Sequence, residues 1–134
     1  MNTEHACYCG GSPSGASFSE CCGPALNAEC WPSTAEALMR SRYSAFATGN
    51  DDHLFRTWHP RFRPAEVTTD HQIRWRGLKI LEVVGGSKDD ETGIVEFLAT
   101  MVQNGVEETL RERSRFSKRA GRWMYEQGEH RFED

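Results

Sequence analysis

The sequence has no long apolar run. Its longest nearly apolar stretch, Phe97 to Val102, falls far short of the ~18 residues that would read as a membrane span. Its first residues, Met1-Asn2-Thr3-Glu4-His5, offer neither a basic n-region nor an apolar h-region, so no secretory signal is expected. A soluble, cytoplasmic protein is the expectation. Positive charge is also in deficit: 16 Lys plus Arg stand against 20 Asp plus Glu, for a net charge of -4. That balance argues against a dedicated nucleic-acid binder. No glycine-rich phosphate loop, nucleophile elbow or paired-histidine metal motif is present. At 134 residues the chain amounts to one domain with a small appendage, and it can bury roughly two thirds of its unfolded surface without a disulfide framework.

What is there in excess is cysteine at one end. The chain reads Cys7-Tyr8-Cys9, then Cys21-Cys22, then Cys30, with all five cysteines before residue 31. In a reducing compartment such clustering suggests metal more than disulfides. The intervening Gly10-Gly11-Ser12-Pro13-Ser14-Gly15-Ala16-Ser17 is turn-forming and has almost nothing to bury, so packing alone would not fix its ends. Four thiolates, Cys7, Cys9, Cys21 and Cys22, around a tetrahedral Zn²⁺ would, and a closed all-cysteine site is structural rather than catalytic. Adjacent Cys21 and Cys22 can both ligate only across a sharp turn, which Gly23-Pro24 supplies. The alternatives are a redox-active vicinal pair at Cys21-Cys22 and a tail of unpaired thiols. His5 is a substitute ligand for one thiolate, and Cys30 has no assigned role.

After a connector bearing Pro24 and Pro32, Ser33 with Glu36 forms a capping box at the head of a helix that stops at Gly49-Asn50. Ala35, Leu38, Met39, Arg42 and Phe46 share one face of it. Arg42 is thus an arginine in an apolar stripe. A second helix spans Asp51 to about Trp58, and residues 60–72 read as loop. The period then changes to that of strands, over residues 74–84 and 93–103. Asn104-Gly105 is a two-residue hairpin signal; it opposes Phe97 to Glu112, Ala99 to Leu110 and Glu96 to Arg113. A second turn at Ala120-Gly121 opposes Phe116 to Tyr125, Lys118 to Trp123, Ser114 to Gln127 and Arg115 to Glu126.

This register sorts the strands into two faces. The inner one carries Val95, Phe97, Ala99, Met101, Leu110, Phe116, Trp123 and Tyr125, with Glu112, Ser114 and Gln127 as polar inclusions. The outer one carries Glu96, Arg111, Arg113, Arg115 and Glu126 with a few aliphatics. It reads as a salt-bridged solvated face whose apolar part would permit a homodimer. The inner polar groups among aromatics describe a pocket or a buried hydrogen-bond network. Inward Arg42 is expected to contact inward Glu112.

The segment from Cys7 to Pro24, Cys-x-Cys-Gly … Ser-Glu-Cys-Cys-Gly-Pro, resembles the SEC-C motif, a small zinc-binding knuckle found at the C-terminus of the SecA translocation ATPase. The run from Thr34 to Ala47, together with Thr57-Trp58-His59-Pro60 and Glu112-Arg113-Ser114-Arg115-Phe116, resembles the YchJ-like uncharacterised bacterial family. The resemblance covers nearly the whole chain. It implies an α+β protein: a zinc knuckle and connector over residues 1–32, then a cone-shaped domain of the nuclear-transport-factor-2-like class over 33–134, with N-terminal helices packed on a curved antiparallel sheet. It implies Cys7, Cys9, Cys21 and Cys22 as zinc ligands and carries no established function.

Two functions remain open. One is a non-catalytic binding or adaptor module, with a protein partner at the knuckle and a partner or small ligand at the cone pocket. The other is a small-molecule enzyme of isomerase, dehydratase or hydrolase type, with Glu112 as acid/base and Ser114, Gln127 or Tyr125 positioning substrate. A cation contacting Glu112 would weaken it as a base, which tilts the reading toward binding. A pocket reaching Glu112 would favour the enzyme.

Overall fold

The computed structural model describes residues 6–133; His5, the substitute ligand, lies outside the described residues. The glycine-rich segment folds back on itself through Cys7 N–H to Ala16 O at 2.8 Å and an Ala6–Ser17 bridge. A 3₁₀ turn, Phe18–Glu20, and a four-residue helix α1, Gly23–Leu26, follow, with Pro24 in the first turn of α1, where its missing N–H costs no hydrogen bond.

Helix α2, Ala35–Thr48, begins one residue later than the capping box predicts. Thr34, not Ser33, is the cap: its hydroxyl accepts from Ala37 N–H at 3.0 Å. Glu36 instead pairs with Arg40 one turn on, at 2.9 Å. The helix ends at Gly49, whose φ of 74° is the left-handed conformation that glycine adopts without penalty. Asn50 then caps α3, Asp51–Thr57, by accepting from His53 N–H.

Four antiparallel strands in sequential order complete the chain: β1 Arg74–Gly85, β2 Thr92–Gln103, β3 Val106–Arg119 and β4 Arg122–Glu133. The hairpins turn at Asn104-Gly105 and Ala120-Gly121, all four residues with positive φ, as the tightest right-twisted hairpins demand. The β2–β3 register matches expectation throughout, with Phe97 opposite Glu112 and Glu96 opposite Arg113. Burial alternates residue by residue along β2, so one face packs inward. Leu38, Met39 and Tyr43 of α2 join Val95, Phe97, Ala99, Phe116 and Trp123 of the sheet in one core. On the outer face, Arg113 bonds both Glu82 and Glu96 at 2.7 Å, and Arg111 bonds Glu96, the solvated ion-pair face expected of it.

The β3–β4 register holds only as far as Phe116–Tyr125. A bulge at Glu126 then shifts it by one, placing Gln127 opposite Arg115 and Gly128 opposite Ser114. Two expectations fail there. Gln127 is exposed, not an inner polar group, and Glu126 does not oppose Arg115. The bulge has a structural use, since residues leaving α3 dock on it: Trp58 Nε1 donates to Glu126 O at 3.1 Å, and His59 N–H to Tyr125 O at 2.8 Å. One extra residue re-aims the strand and frees these carbonyls for a neighbour.

The cysteine segment is not a coreless appendage either. Cys7, Cys9, Cys22 and Leu26 belong to the same apolar cluster as the α2 and sheet residues. Arg56 Nη2 donates to Ala25 O and Leu26 O, and Arg40 Nη1 to Cys9 O at 3.0 Å. Trp31 Nε1 donates to Trp123 O, while Trp123 Nε1 donates to Ser33 O, which ties the connector to β4.

Between α2 and α3 lies His53, only 1 % exposed. Ser41 Oγ donates to Leu38 O at 2.8 Å, so it accepts from His53 Nε2 at 2.9 Å, leaving Nδ1 to accept from Arg56 Nη2 at 3.1 Å. Every polar atom of this Ser–His pair is engaged, which makes it a strut rather than a nucleophile and base. Burial, then Arg56 and Arg42, push the His53 pKa down from 6.5 to about 3. Because the folded value is the lower one, the unfolded chain takes up the proton first as pH falls. The fold therefore loses stability between pH 6.5 and about 3. In thermal melts across that window, His53→Gln is expected to show a shallower acid loss than the wild type; equal slopes would contradict a buried neutral His53.

Candidate functional site

Two sites emerge. The first is the sulfur cluster. The Cys7, Cys9, Cys21 and Cys22 sulfurs all lie within 4.8 Å of one another, with Cys9–Cys21 at 3.6 Å, Cys9–Cys22 at 3.7 Å and Cys21–Cys22 at 3.9 Å. A tetrahedral zinc with Zn–S of about 2.3 Å has sulfur–sulfur edges of about 3.8 Å, so the spacing fits the group. Electrostatics point the same way. Hydrogen bonds from Cys22 and Cys9 hold the Cys7 thiol far below its ordinary pKa, the bonds to Cys7 and Cys9 push Cys22 far up, and burial pushes Cys21 up to about 11. Four thiolates this close do not ionise together without a cation between them. Positive and polar groups already surround the sulfurs: Gly11 N–H donates to Cys9 Sγ at 3.4 Å, Arg40 Nη1 approaches it at 3.7 Å, and Ser44 Oγ lies 3.6 Å from Cys7 Sγ. This is the outer shell that a thiolate–metal centre requires. Cys30 is exposed and stands outside the cluster.

The second site is a cavity of about 240 Å³ between α2, the segment after α3 and the inner sheet face. Its walls are aromatic, including Trp58, Trp75, Tyr43 and Phe97, and its charged side chains are Arg42 and Glu112. Glu112 Oε2 accepts from Ser114 Oγ at 2.5 Å and from Tyr125 OH at 3.2 Å. Of the expected inner polar group, the structure brings Glu112, Ser114 and Tyr125 together and leaves Gln127 exposed.

The expected direct contact between Arg42 and Glu112 is not made. Arg42, 2 % exposed, donates from Nη1 to Thr57 Oγ1 at 2.7 Å and to Leu54 O at 3.0 Å. Its guanidinium lies 4.3 Å from the Tyr125 ring centre and 5.1 Å from that of Trp58. The Tyr125 side chain is the mediator, its face toward the cation and its hydroxyl toward the carboxylate. Burial pushes Arg42 down to about 10, with Tyr125 and Glu112 opposing that shift, so it stays cationic at neutral pH. The Tyr125 phenol is pushed up by burial and then by Glu112 and remains a donor. Among the described residues, no histidine, cysteine, serine or lysine lines this cavity.

The seat of Glu112 depends on a residue that sequence reasoning missed. The bulge puts Gly128 on the inner face beside it, and a Cβ there would come within 2.7 Å of the Glu112 carboxyl carbon and 2.8 Å of Cγ. Only glycine admits the carboxylate in this position. The bulge itself has no two-residue turn signal from which to predict it. Gly128→Ala is expected to destabilise by about 1–2 kcal/mol through overpacking, and by markedly less in a Glu112→Ala background. A double-mutant cycle by urea denaturation checks this; additive effects would mean that the two residues do not compete for space.

Comparison with known proteins places the chain. The family model described as the middle NTF2-like domain of YchJ matches residues 34–128. The UPF0225 protein SCO1677 of Streptomyces coelicolor is 46 % identical over 123 residues, covering 92 % of this chain and 94 % of its own. A UPF0225 protein of Chromobacterium violaceum is 43 % identical over 127 residues, covering 92 % and 91 %. The solution structure of RPA3114, a SEC-C motif containing protein from Rhodopseudomonas palustris, superposes with a TM-score of 0.79 at 34 % identity, covering 92 % of this chain and 97 % of that one. A crystal structure of a SEC-C motif containing protein from Psychrobacter arcticus, at 21 % identity and a TM-score of 0.73 over 91 % and 80 % of the two chains, bears on the fold alone. The chain therefore belongs to the uncharacterised UPF0225 family, with the YchJ-type NTF2-like domain over residues 34–128.

Proposed function

We propose that the protein is a non-catalytic binding module in which Cys7, Cys9, Cys21 and Cys22 hold one structural zinc ion and the aromatic cavity receives a ligand. The observation that carries this reading is the closed set of four sulfurs spaced for a tetrahedral ion and packed onto α2. Four protein ligands leave no open position for chemistry, so such an ion acts on folding and rigidity. The cavity supports the same reading: a carboxylate already holding two hydroxyl donors, with no second acid–base side chain lining the space beyond tyrosines and Arg42, suits recognition better than proton transfer.

One observation favours the enzyme alternative, namely that the cavity reaches Glu112. A single carboxylate can both remove and return a proton, and Glu112 is the one carboxylate among the described residues lining this cavity. The rigid knuckle, with Tyr8 54 % exposed beside Phe18, is the surface that this reading assigns to a protein partner.

Native mass spectrometry of protein purified without added metal is expected to show one zinc per chain. Chelation, or Cys21→Ser with Cys22→Ser, is expected to lower the melting temperature by well over the ~4–8 °C that corresponds to 1 kcal/mol in a domain of about 100 residues. A folded protein of unchanged stability without metal would overturn the reading. Affinity capture with the same variant separates the two uses of the knuckle. A partner lost only with the variant makes it a docking element, and identical captures leave it a folding clip.

A further inference from the structure

The aromatic cavity carries more chemical information than its volume. It contains one fixed cation and one fixed anion that do not pair with each other. Both hydrogen bonds of Arg42 leave from Nη1, so Nε and Nη2 have no hydrogen-bond partner among the described residues, although the side chain is almost fully buried. Both bonds received by Glu112 end on Oε2, so Oε1 has none either. Donors therefore stand unused at the face of the Tyr125 ring and an acceptor near its hydroxyl, and both residues line the same space. Arg42 is buried and Glu112 half-buried, and charged groups enclosed in this way normally find hydrogen-bond partners.

The charges restrict what can satisfy them. An anionic ligand would meet Glu112 and a cationic one Arg42, each repelled in a cavity whose apolar walls screen charge less than bulk water does. A neutral ligand with a donor and an acceptor side by side meets both without repulsion. The walls, Trp58, Trp75, Tyr43 and Phe97, favour a flat ring, because aromatic faces and edges pack best on another ring. The volume of about 240 Å³ equals that of about eight waters at liquid density, which suits one ring or a fused pair. Phe46, 37 % exposed, borders the cavity and marks its opening to solvent.

We propose that this cavity binds a small, neutral, planar heterocycle with an amide-type N–H beside its carbonyl, the N–H donating to Glu112 and the carbonyl accepting from Arg42. The inference deepens the binding reading of the cavity and does not depend on the metal.

Quinolin-2-one is the probe, titrated into the full-length, zinc-replete protein and followed by tryptophan fluorescence and calorimetry. Its N-methyl derivative lacks the donor, 1-naphthylmethylammonium carries a positive charge, and 2-naphthoate a negative one. Quinolin-2-one is expected to bind saturably below about 1 mM, and each of the other three at least about tenfold more weakly, the effect of losing a charge-assisted hydrogen bond in a desolvated site. Glu112→Gln is expected to weaken quinolin-2-one by about tenfold while leaving the N-methyl compound unchanged. The comparison among ligands needs no variant, so the test survives if Glu112→Gln fails to fold. Equal binding of the N-methyl derivative, or tighter binding of the ammonium or the carboxylate, would overturn the lactam assignment while leaving a binding cavity in place. Absence of saturable binding by all four would overturn both the assignment and the binding reading of the cavity.

Discussion

Four sulfur atoms drawn to within 4.8 Å of one another set the terms for the N-terminal part of this protein. The segment that separates the two pairs is mostly glycine and serine, with Phe18 its one large side chain packed against the core, and its own hydrogen bonds, such as Gly15 N–H to Gly10 O, are those of turns. Apolar collapse cannot place such a segment with the precision that the thiols show. The sulfurs do more than close a loop, because Cys7, Cys9 and Cys22 are also members of the main core, in contact with the helix that carries Arg40 and Ser44. The knuckle thereby packs on α2, the element that also presents Arg42 to the aromatic cavity. The two sites are linked through one helix.

The cavity shows a second economy, at the β4 bulge. A single extra residue at Glu126 frees the Tyr125 and Glu126 carbonyls to hold the chain leaving α3, which fixes Trp58 as a wall. The same shift turns Gly128 inward, where the absence of a side chain makes room for the Glu112 carboxylate. Without the bulge an inward Gln127 would occupy that region, and the site would be a filled network. Tyr125 stands at the junction, stacked on Arg42 and bonded to Glu112, so the opposite charges are coupled through a ring and stay available to a third party.

Much of this was legible in the residues. The Asn104-Gly105 turn dictates the β2–β3 register and the Ala120-Gly121 turn the β3–β4 register as far as the bulge, because a two-residue hairpin fixes the pairing next to it. From that register follow the inner face and the meeting of Glu112, Ser114 and Tyr125. The cysteine spacing and the coreless loop between them pointed to four ligands. Three features were not legible. A bulge depends on what docks against it, here Trp58 and His59, and that is tertiary information. The partners of Arg42 are a backbone carbonyl and a threonine across a helix–helix contact, invisible to helical-wheel periodicity. His53 is hidden because a histidine in a short polar helix has no pattern distinguishing a buried strut from a solvated side chain until Ser41 and Arg56 are seen on either side of it.

Four sulfurs acting as one ligand set are the constraint on which the N-terminal segment depends. Zinc K-edge X-ray absorption on the purified protein tests this directly: the account predicts a single shell of four sulfur scatterers at about 2.3 Å. A mixed shell with nitrogen or oxygen at about 2.0–2.1 Å, or the absence of bound zinc, would contradict it.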